Sequence, residues 1–127
     1  MIKQIFFDVD GTLVSKDDEI RPGAFEVMKF CKDKGIVVTM WSGGGIDYAK
    51  TWARRIDPKN ELHINFFFKN PSLLEEGHMT VDDMKEVQKI ADGLGAKGYW
   101  IPFFEPAIVK NDVELYKLKE VIAQLCP

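Results

Sequence analysis

Ile5-Phe6-Phe7-Asp8-Val9-Asp10-Gly11-Thr12-Leu13-Val14 is the stretch on which the rest of the chain depends. An apolar run rich in β-branched and aromatic residues, with little alternation, reads as a strand buried on both faces, as in parallel sheets. That strand is predicted over Ile2 to Phe7, and Gly11 breaks it. Asp8 and Asp10 stand at i and i+2, which in an extended chain puts both carboxylates on one side. Like charges so close repel until a proton or a cation resolves them. A hard divalent cation is the simplest resolution, because Mg²⁺ is usually held by one or two carboxylates together with water and phosphate oxygens. Asp and Gly are also ordinary turn residues, so this stretch by itself equally fits a strand ending in a tight acidic turn.

The chain as a whole bounds what such a tip can serve. Its 127 residues suit one domain with a real core and leave no room for a second lobe, so residues 1–127 are expected to form a single domain. Apolar residues make up 46% and charged residues 29%, a globular balance rather than a disordered one. A net charge of -3 argues against a protein built mainly to coat nucleic acid. No early segment has the charged start, apolar run and cleavage site of a leader, and no apolar run approaches membrane-spanning length. Cys31 and Cys126 fit free thiols in a reducing compartment, so the cytoplasm is the expected location.

Periodicity then alternates strand and helix. Ser15 to Gly23 is polar and turn-rich, an exposed loop or short hairpin. Ala24 to Lys34 places Ala24, Val27, Met28 and Cys31 on one helical stripe, and Gly35 stops it. Ile36 to Trp41 is a second strand, followed by a helix with Ile46, Ala49, Ala53 and Ile56 on one face. Leu62 to Phe68 is a third strand, with His63 near its start. The span from Lys69 to Asp82 is short for a crossover between parallel strands, with space for one helical turn. His78 to Asp83 reads as a fourth strand ending in paired acids. A helix follows, carrying Met84, Val87, Ala91 and Leu94. Lys97 to Pro102 is a fifth, edge strand, since Pro102 cannot donate to a ladder. Asn111-Asp112 caps a last helix that buries Leu115, Leu118, Ile122 and Leu125.

Five strands alternating with helices specify a doubly wound, Rossmann-like parallel sheet with helices on both faces. Ligands of such sheets bind beyond the carboxyl ends of the strands. Asp8, Ser42, Lys69 and Asp82 each fall at a predicted strand end, so the topology gathers them in one crevice. Ser42-Gly43-Gly44-Gly45 between a strand and a helix N-terminus is a ready anion site, although Ser42 equally fits a helix cap. Lys69 can offset phosphate charge as a compact cation, or be a solvated loop residue. Asp83 with Glu86 also has capping-box spacing.

Asp8-Val9-Asp10-Gly11-Thr12-Leu13-Val14 resembles the first motif of the haloacid dehalogenase-like phosphohydrolase superfamily. The resemblance extends in order: Ser42 to the second motif, Lys69 to the third, and Asp82-Asp83 to the fourth, metal-binding motif. It implies an Mg²⁺-dependent phosphatase in which Asp8 attacks phosphorus and Asp10 is the acid/base. Mg²⁺ would be held by Asp8, the Asp10 carbonyl, and Asp82 or Asp83. Gly11, Thr12, Ser42, Gly43 and Lys69 would bind the phosphoryl group. Three successive glycines depart from the family's usual single one. The gaps between motifs are too short for a cap domain, which implies an open site. Such a site suits a phosphoprotein, a polynucleotide end or another bulky phosphate, unless a partner subunit closes it. The phosphorylated substrate is left open among a small molecule, a phosphoprotein and a polynucleotide end, with nucleic acid entering only in that way and no membrane. A non-catalytic or partner-dependent phosphate- and Mg²⁺-binding regulatory protein of the same fold is the alternative. A phospho-receiver would carry its phosphorylated Asp after the third strand, where this chain has Lys69.

Overall fold

The computed structural model describes residues Met1–Pro127. Strand β1 (Gln4–Asp8) leads through a turn-rich segment to helix α1 (Ala24–Asp33). Then follow β2 (Val37–Ser42), α2 (Ile46–Ile56), β3 (Asn65–Phe68), a single 3-10 turn (Pro71–Leu73), β4 (His78–Asp82), α3 (Lys85–Gly93), β5 (Lys97–Trp100) and α4 (Glu114–Leu125). The strands form one sheet in the order β3-β2-β1-β4-β5, and every pairing is parallel. The doubly wound fold expected from the strand and helix pattern is the one observed, and no cap is inserted between the elements.

The strand order explains the layers. Right-handed crossovers place α1 and α2 on one face and send the chain from β3 across to β4 by the other, where α3 follows. Helix α4 returns to pack on α1. Side chains of β1 divide accordingly: Ile5 and Phe7 enter the main core with Met28, Trp52 and Leu118, whereas Phe6 joins Trp41, Leu74 and Ala91 on the α3 side. Reversal of winding direction at β1 opens a crevice above the carboxyl ends of β1, β2 and β4.

The third strand differs from expectation. Leu62 and Ile64 are buried, but the segment before Asn65 is not strand, because the carboxylate of Asp57 accepts the amides of Glu61 (2.9 Å) and Leu62 (2.8 Å) and folds it into a loop. His63 lies in that loop with a left-handed φ of 49° and is not a strand residue. Strand β3 is an edge, and one 3-10 turn stands where a crossover helix would cover it. Phe67 and Leu73 are therefore exposed, and an apolar groove of about 500 Å³ runs between that turn and Trp41. Four residues expected on buried stripes are also exposed: Ile46 at the start of α2, Met84 just before α3, Leu94 just after it, and Leu125 at the end of α4. Each lies at a helix end.

Candidate active site

The tip of β1 is built on a single carbonyl. Val9 O accepts the amides of Thr12 (3.3 Å), Leu13 (3.0 Å) and Val14 (3.1 Å), so the chain curls tightly just after Asp8. Gly11 completes the curl at φ 80°, a left-handed value that favours glycine, and its amide donates to Val14 O at 2.8 Å. A Cβ at Gly11 would stand 2.6 Å from the Phe103 ring and 2.8 Å from Asp83 Oδ2. The sequence signal of Gly11 is therefore steric as well as conformational.

Asp8 projects from the end of β1 and is almost fully buried. Next to β1, β4 ends in Asp82 and is followed by Asp83. One carboxylate oxygen from each of the three residues lies within 4.8 Å of the others. Thr12 Oγ1 sits among them, 3.2 Å from both Asp8 Oδ2 and Asp83 Oδ1, and accepts the Asp83 amide at 3.1 Å. Lys69 reaches in from beyond β3, with Nζ 3.3 Å from Asp8 Oδ1 and 2.5 Å from Asp82 Oδ2. The shorter contact makes Lys69 the direct counter-ion of the buried Asp82 carboxylate.

These positions set the proton affinities. Burial, then the neighbouring charge of Asp82, pushes the Asp8 carboxyl up to about 8 against the partial relief that Lys69 gives. Burial also raises Asp82, while the Lys69 ammonium and the Met84 amide, which donates to Asp82 Oδ1 at 2.9 Å, pull it back. Desolvation alone would lower Lys69, but Asp8 and Asp82 outweigh it and hold the ammonium above its ordinary range. Once Asp8 gives up its proton, three carboxylates face one ammonium and leave negative charge uncompensated. An all-oxygen donor set of this kind fits a hard divalent cation.

The second loop meets the same crevice. Ser42, at the end of β2, accepts the Gly44 amide on its Oγ at 2.9 Å, and its carbonyl accepts the amides of Gly45 (3.2 Å) and Lys69 (3.1 Å). Ser42 is thus not the cap of α2, whose first turn has no side-chain cap. Its hydroxyl hydrogen remains free to donate. Likewise Asp83 does not form the capping box its spacing suggests, since its carboxylate turns to Thr12 and α3 has no side-chain cap.

The fold thus brings Asp8, Ser42, Lys69, Asp82 and Asp83 to one sheet edge. The other expected residues stand differently. The carboxylate of Asp10 is outside the acidic triad, exposed, and takes a 2.6 Å hydrogen bond from the Tyr48 hydroxyl of α2. Gly11 and Thr12 do not present free phosphate donors: the Gly11 amide is committed to Val14, and the Thr12 hydroxyl is fully buried among the acids. Three further residues support the site, and of these Arg21, read from the sequence as part of an exposed loop, is the one that was missed outright. Arg21 is buried from the polar segment and donates to Thr12 O at 3.1 Å, Phe103 covers Gly11, and Tyr48 holds Asp10. Nothing in the polar run of Ser15 to Gly23, which also holds Lys16, marks Arg21 as the buried cation.

A family model described as haloacid dehalogenase-like hydrolase matches residues 5–65, which contain the β1 tip and the Ser42 loop. The match takes in the Asp8-Val9-Asp10-Gly11-Thr12 stretch on which the resemblance to this family rests. Among solved structures the chain is similar to D,D-heptose 1,7-bisphosphate phosphatase from Burkholderia thailandensis, with a TM-score of 0.70 and 14% identity over 94% of this chain and 98% of that one. It is also similar to a probable yrbI family phosphatase from Pseudomonas syringae pv. phaseolica 1448a, with a TM-score of 0.54 and 15% identity over 97% and 85% of the two chains. A chain of the Pnkp1/Rnl/Hen1 complex matches with a TM-score of 0.58 and 14% identity, covering 82% of this chain and 47% of that one. At these identities the likeness is one of fold. No curated protein matches the sequence.

Proposed function

We propose that this protein is a haloacid dehalogenase-like, Mg²⁺-dependent phosphatase that hydrolyses a phosphomonoester through an aspartyl-phosphate on Asp8. The observation that carries the reading is the juxtaposition of Asp8, Asp82 and Asp83 with Lys69 and the Ser42 loop at one sheet edge. Asp8, Asp82 and Asp83, with the Asp10 carbonyl, would hold Mg²⁺. Bound there, the ion supplies charge compensation that lets an anionic nucleophile approach an anionic ester.

In the first displacement a carboxylate oxygen of Asp8 bonds to phosphorus as the bond to the leaving oxygen breaks. Asp10 gives that oxygen its proton. In the second displacement water attacks the same phosphorus, its proton passes to Asp10, and the bond from Asp8 breaks to release phosphate. Lys69 and the Ser42 hydroxyl, with the Gly43 amide, bind the phosphoryl oxygens and keep them in line. Residues 1–127 would act as one catalytic domain, in the cytoplasm, on a small phosphate ester, a phosphoprotein or a polynucleotide end.

The test is phosphate release from an aryl phosphate, sugar phosphates, nucleotides, a phosphopeptide and a 3′-phosphorylated oligonucleotide, with and without Mg²⁺, by wild type and Asp8→Asn. Release that needs both the ion and Asp8 is the expected result. A folded, Mg²⁺-binding protein that releases nothing from any of them would instead support a non-catalytic phosphate- and Mg²⁺-binding role.

A further inference from the structure

The three glycines after Ser42 and the tyrosine six residues beyond it fit together around Asp10. A Cβ added at Gly44 would lie 3.2 Å from Tyr48 Cδ2, 3.3 Å from Tyr48 Cγ and 3.3 Å from Ser42 Oγ. Those distances are tighter than nearly all real Cβ contacts, and φ at Gly44 is not left-handed. A side chain at this position would thus press on the Tyr48 ring, which lies over the loop and would have to give by a few tenths of an ångström, while the backbone itself does not call for glycine. The ring crosses Gly44 and brings its hydroxyl to Asp10 Oδ1 at 2.6 Å.

Asp10 has no other side-chain hydrogen bond. It is exposed and its side chain would otherwise sample several rotamers, each of which must be abandoned before a proton can be passed in line with the leaving oxygen. One oxygen is tied to Tyr48, while Oδ2 makes no hydrogen bond within the chain and is left to meet the substrate. We infer that Tyr48 is a positioning residue for Asp10, seated by Gly44, and that it contributes specifically to protonation of the leaving group. This rests on the proposed phosphatase reading.

A role in proton delivery has a signature that simple structural support lacks. An ester whose leaving oxygen is a poor anion, such as an alkyl phosphate, needs the proton, whereas a nitro-substituted aryl phosphate hardly does. The two are compared as kcat/KM, which reads the first displacement. For Tyr48→Phe the alkyl ester is expected to slow by about tenfold, a part of the 10²- to 10⁴-fold that general acids supply, with the aryl ester changed by less than about twofold. Gly44→Ala should shift the ratio in the same sense by a smaller factor, and Asp10→Asn should give the largest split. Melting temperature of Tyr48→Phe should match wild type.

Equal slowing of both esters by Tyr48→Phe, or no slowing of either, overturns the inference. If Asp8→Asn abolishes release while the Tyr48→Phe ratio stays at the wild-type value, the inference fails and the phosphatase reading stands. If wild type shows no release that depends on Asp8, both fall together.

Discussion

The guanidinium of Arg21 meets both carboxylate oxygens of Asp112, at 2.9 Å each, across 91 residues of sequence. Its third bond goes to Thr12 O at 3.1 Å, and the group lies 5.3 Å from the centre of the Phe104 ring. Arg21 is only 1% exposed, so the pair is desolvated and its value lies in both partners being present. It ties the polar segment after β1 and the loop before α4 to the curl that holds Asp8.

Asp112→Ala should therefore destabilise the fold by about 3–5 kcal/mol, the usual result of leaving one buried charge unpaired. Replacement of both residues, Arg21→Met with Asp112→Leu, should recover most of that loss. Urea denaturation of the two single variants and the double variant measures it. A double variant no more stable than the worse single would show that the pair is not the source of the effect.

Stability should also carry the mark of Asp8. Its proton is held up to about 8 in the folded protein, chiefly by burial, against an ordinary carboxyl value of 3.8. The folded state thus binds this proton more tightly than the unfolded chain. Its contribution is fully present below the ordinary carboxyl value and is lost as pH rises through about 8. Without divalent ion, melting temperature should decline across that window by more in wild type than in Asp8→Asn. Mg²⁺ should stabilise most at the alkaline end, where no proton must be displaced from Asp8. A calorimetric scan series with and without Mg²⁺ tests both statements, and equal slopes for wild type and Asp8→Asn would count against them.

Much of this site was legible because it lies on strand ends. Asp8, Ser42 and Asp82 terminate β1, β2 and β4, and Lys69 directly follows β3. Hydrophobic runs announce such strands, and parallel order brings their ends together. What could not be read is what depends on reach. Tyr48 touches Asp10 because the Gly44 backbone leaves space for a ring, and Arg21 turns inward because Asp112 waits on a distant loop. Neither distance has a periodicity. Asp112 itself looked like a helix cap, and it does accept the Glu114 amide at 3.2 Å, but its main partner is Arg21. The third strand misled for a local reason, since the Asp57 carboxylate takes two amides that a ladder would otherwise have used.

Gly11 gives a prediction in which two costs separate. Its φ of 80° is unfavourable for any residue with a Cβ, and that Cβ would also collide with the Phe103 ring. Gly11→Ala should lose about 1–3 kcal/mol. In a background of Phe103→Ala the same change should cost less, because only the backbone strain and the Asp83 contact remain. Denaturation midpoints of the four proteins form a double-mutant cycle. An identical cost in both backgrounds would mean that the Phe103 ring moves aside freely.

Lys69 should separate ion binding from turnover. Its ammonium is the cation within reach of Asp8 and Asp82, and it repels a second cation brought to the same carboxylates. Lys69→Met keeps most of the apolar stem and removes the charge. Mg²⁺ affinity should then rise, since the acids lose their internal counter-ion. Phosphate release should nevertheless fall by about 10²- to 10³-fold, the usual cost of removing one fixed charge or donor aimed at a reacting oxyanion. Lys69→Arg keeps the charge but spreads it over a planar fork that does not fit between the two carboxylates as a point charge does, so it should restore little activity. Isothermal titration with Mg²⁺ beside steady-state kinetics reads the two effects on one preparation. If affinity and turnover fell together in Lys69→Met, Lys69 would be holding the site in shape rather than balancing its charge.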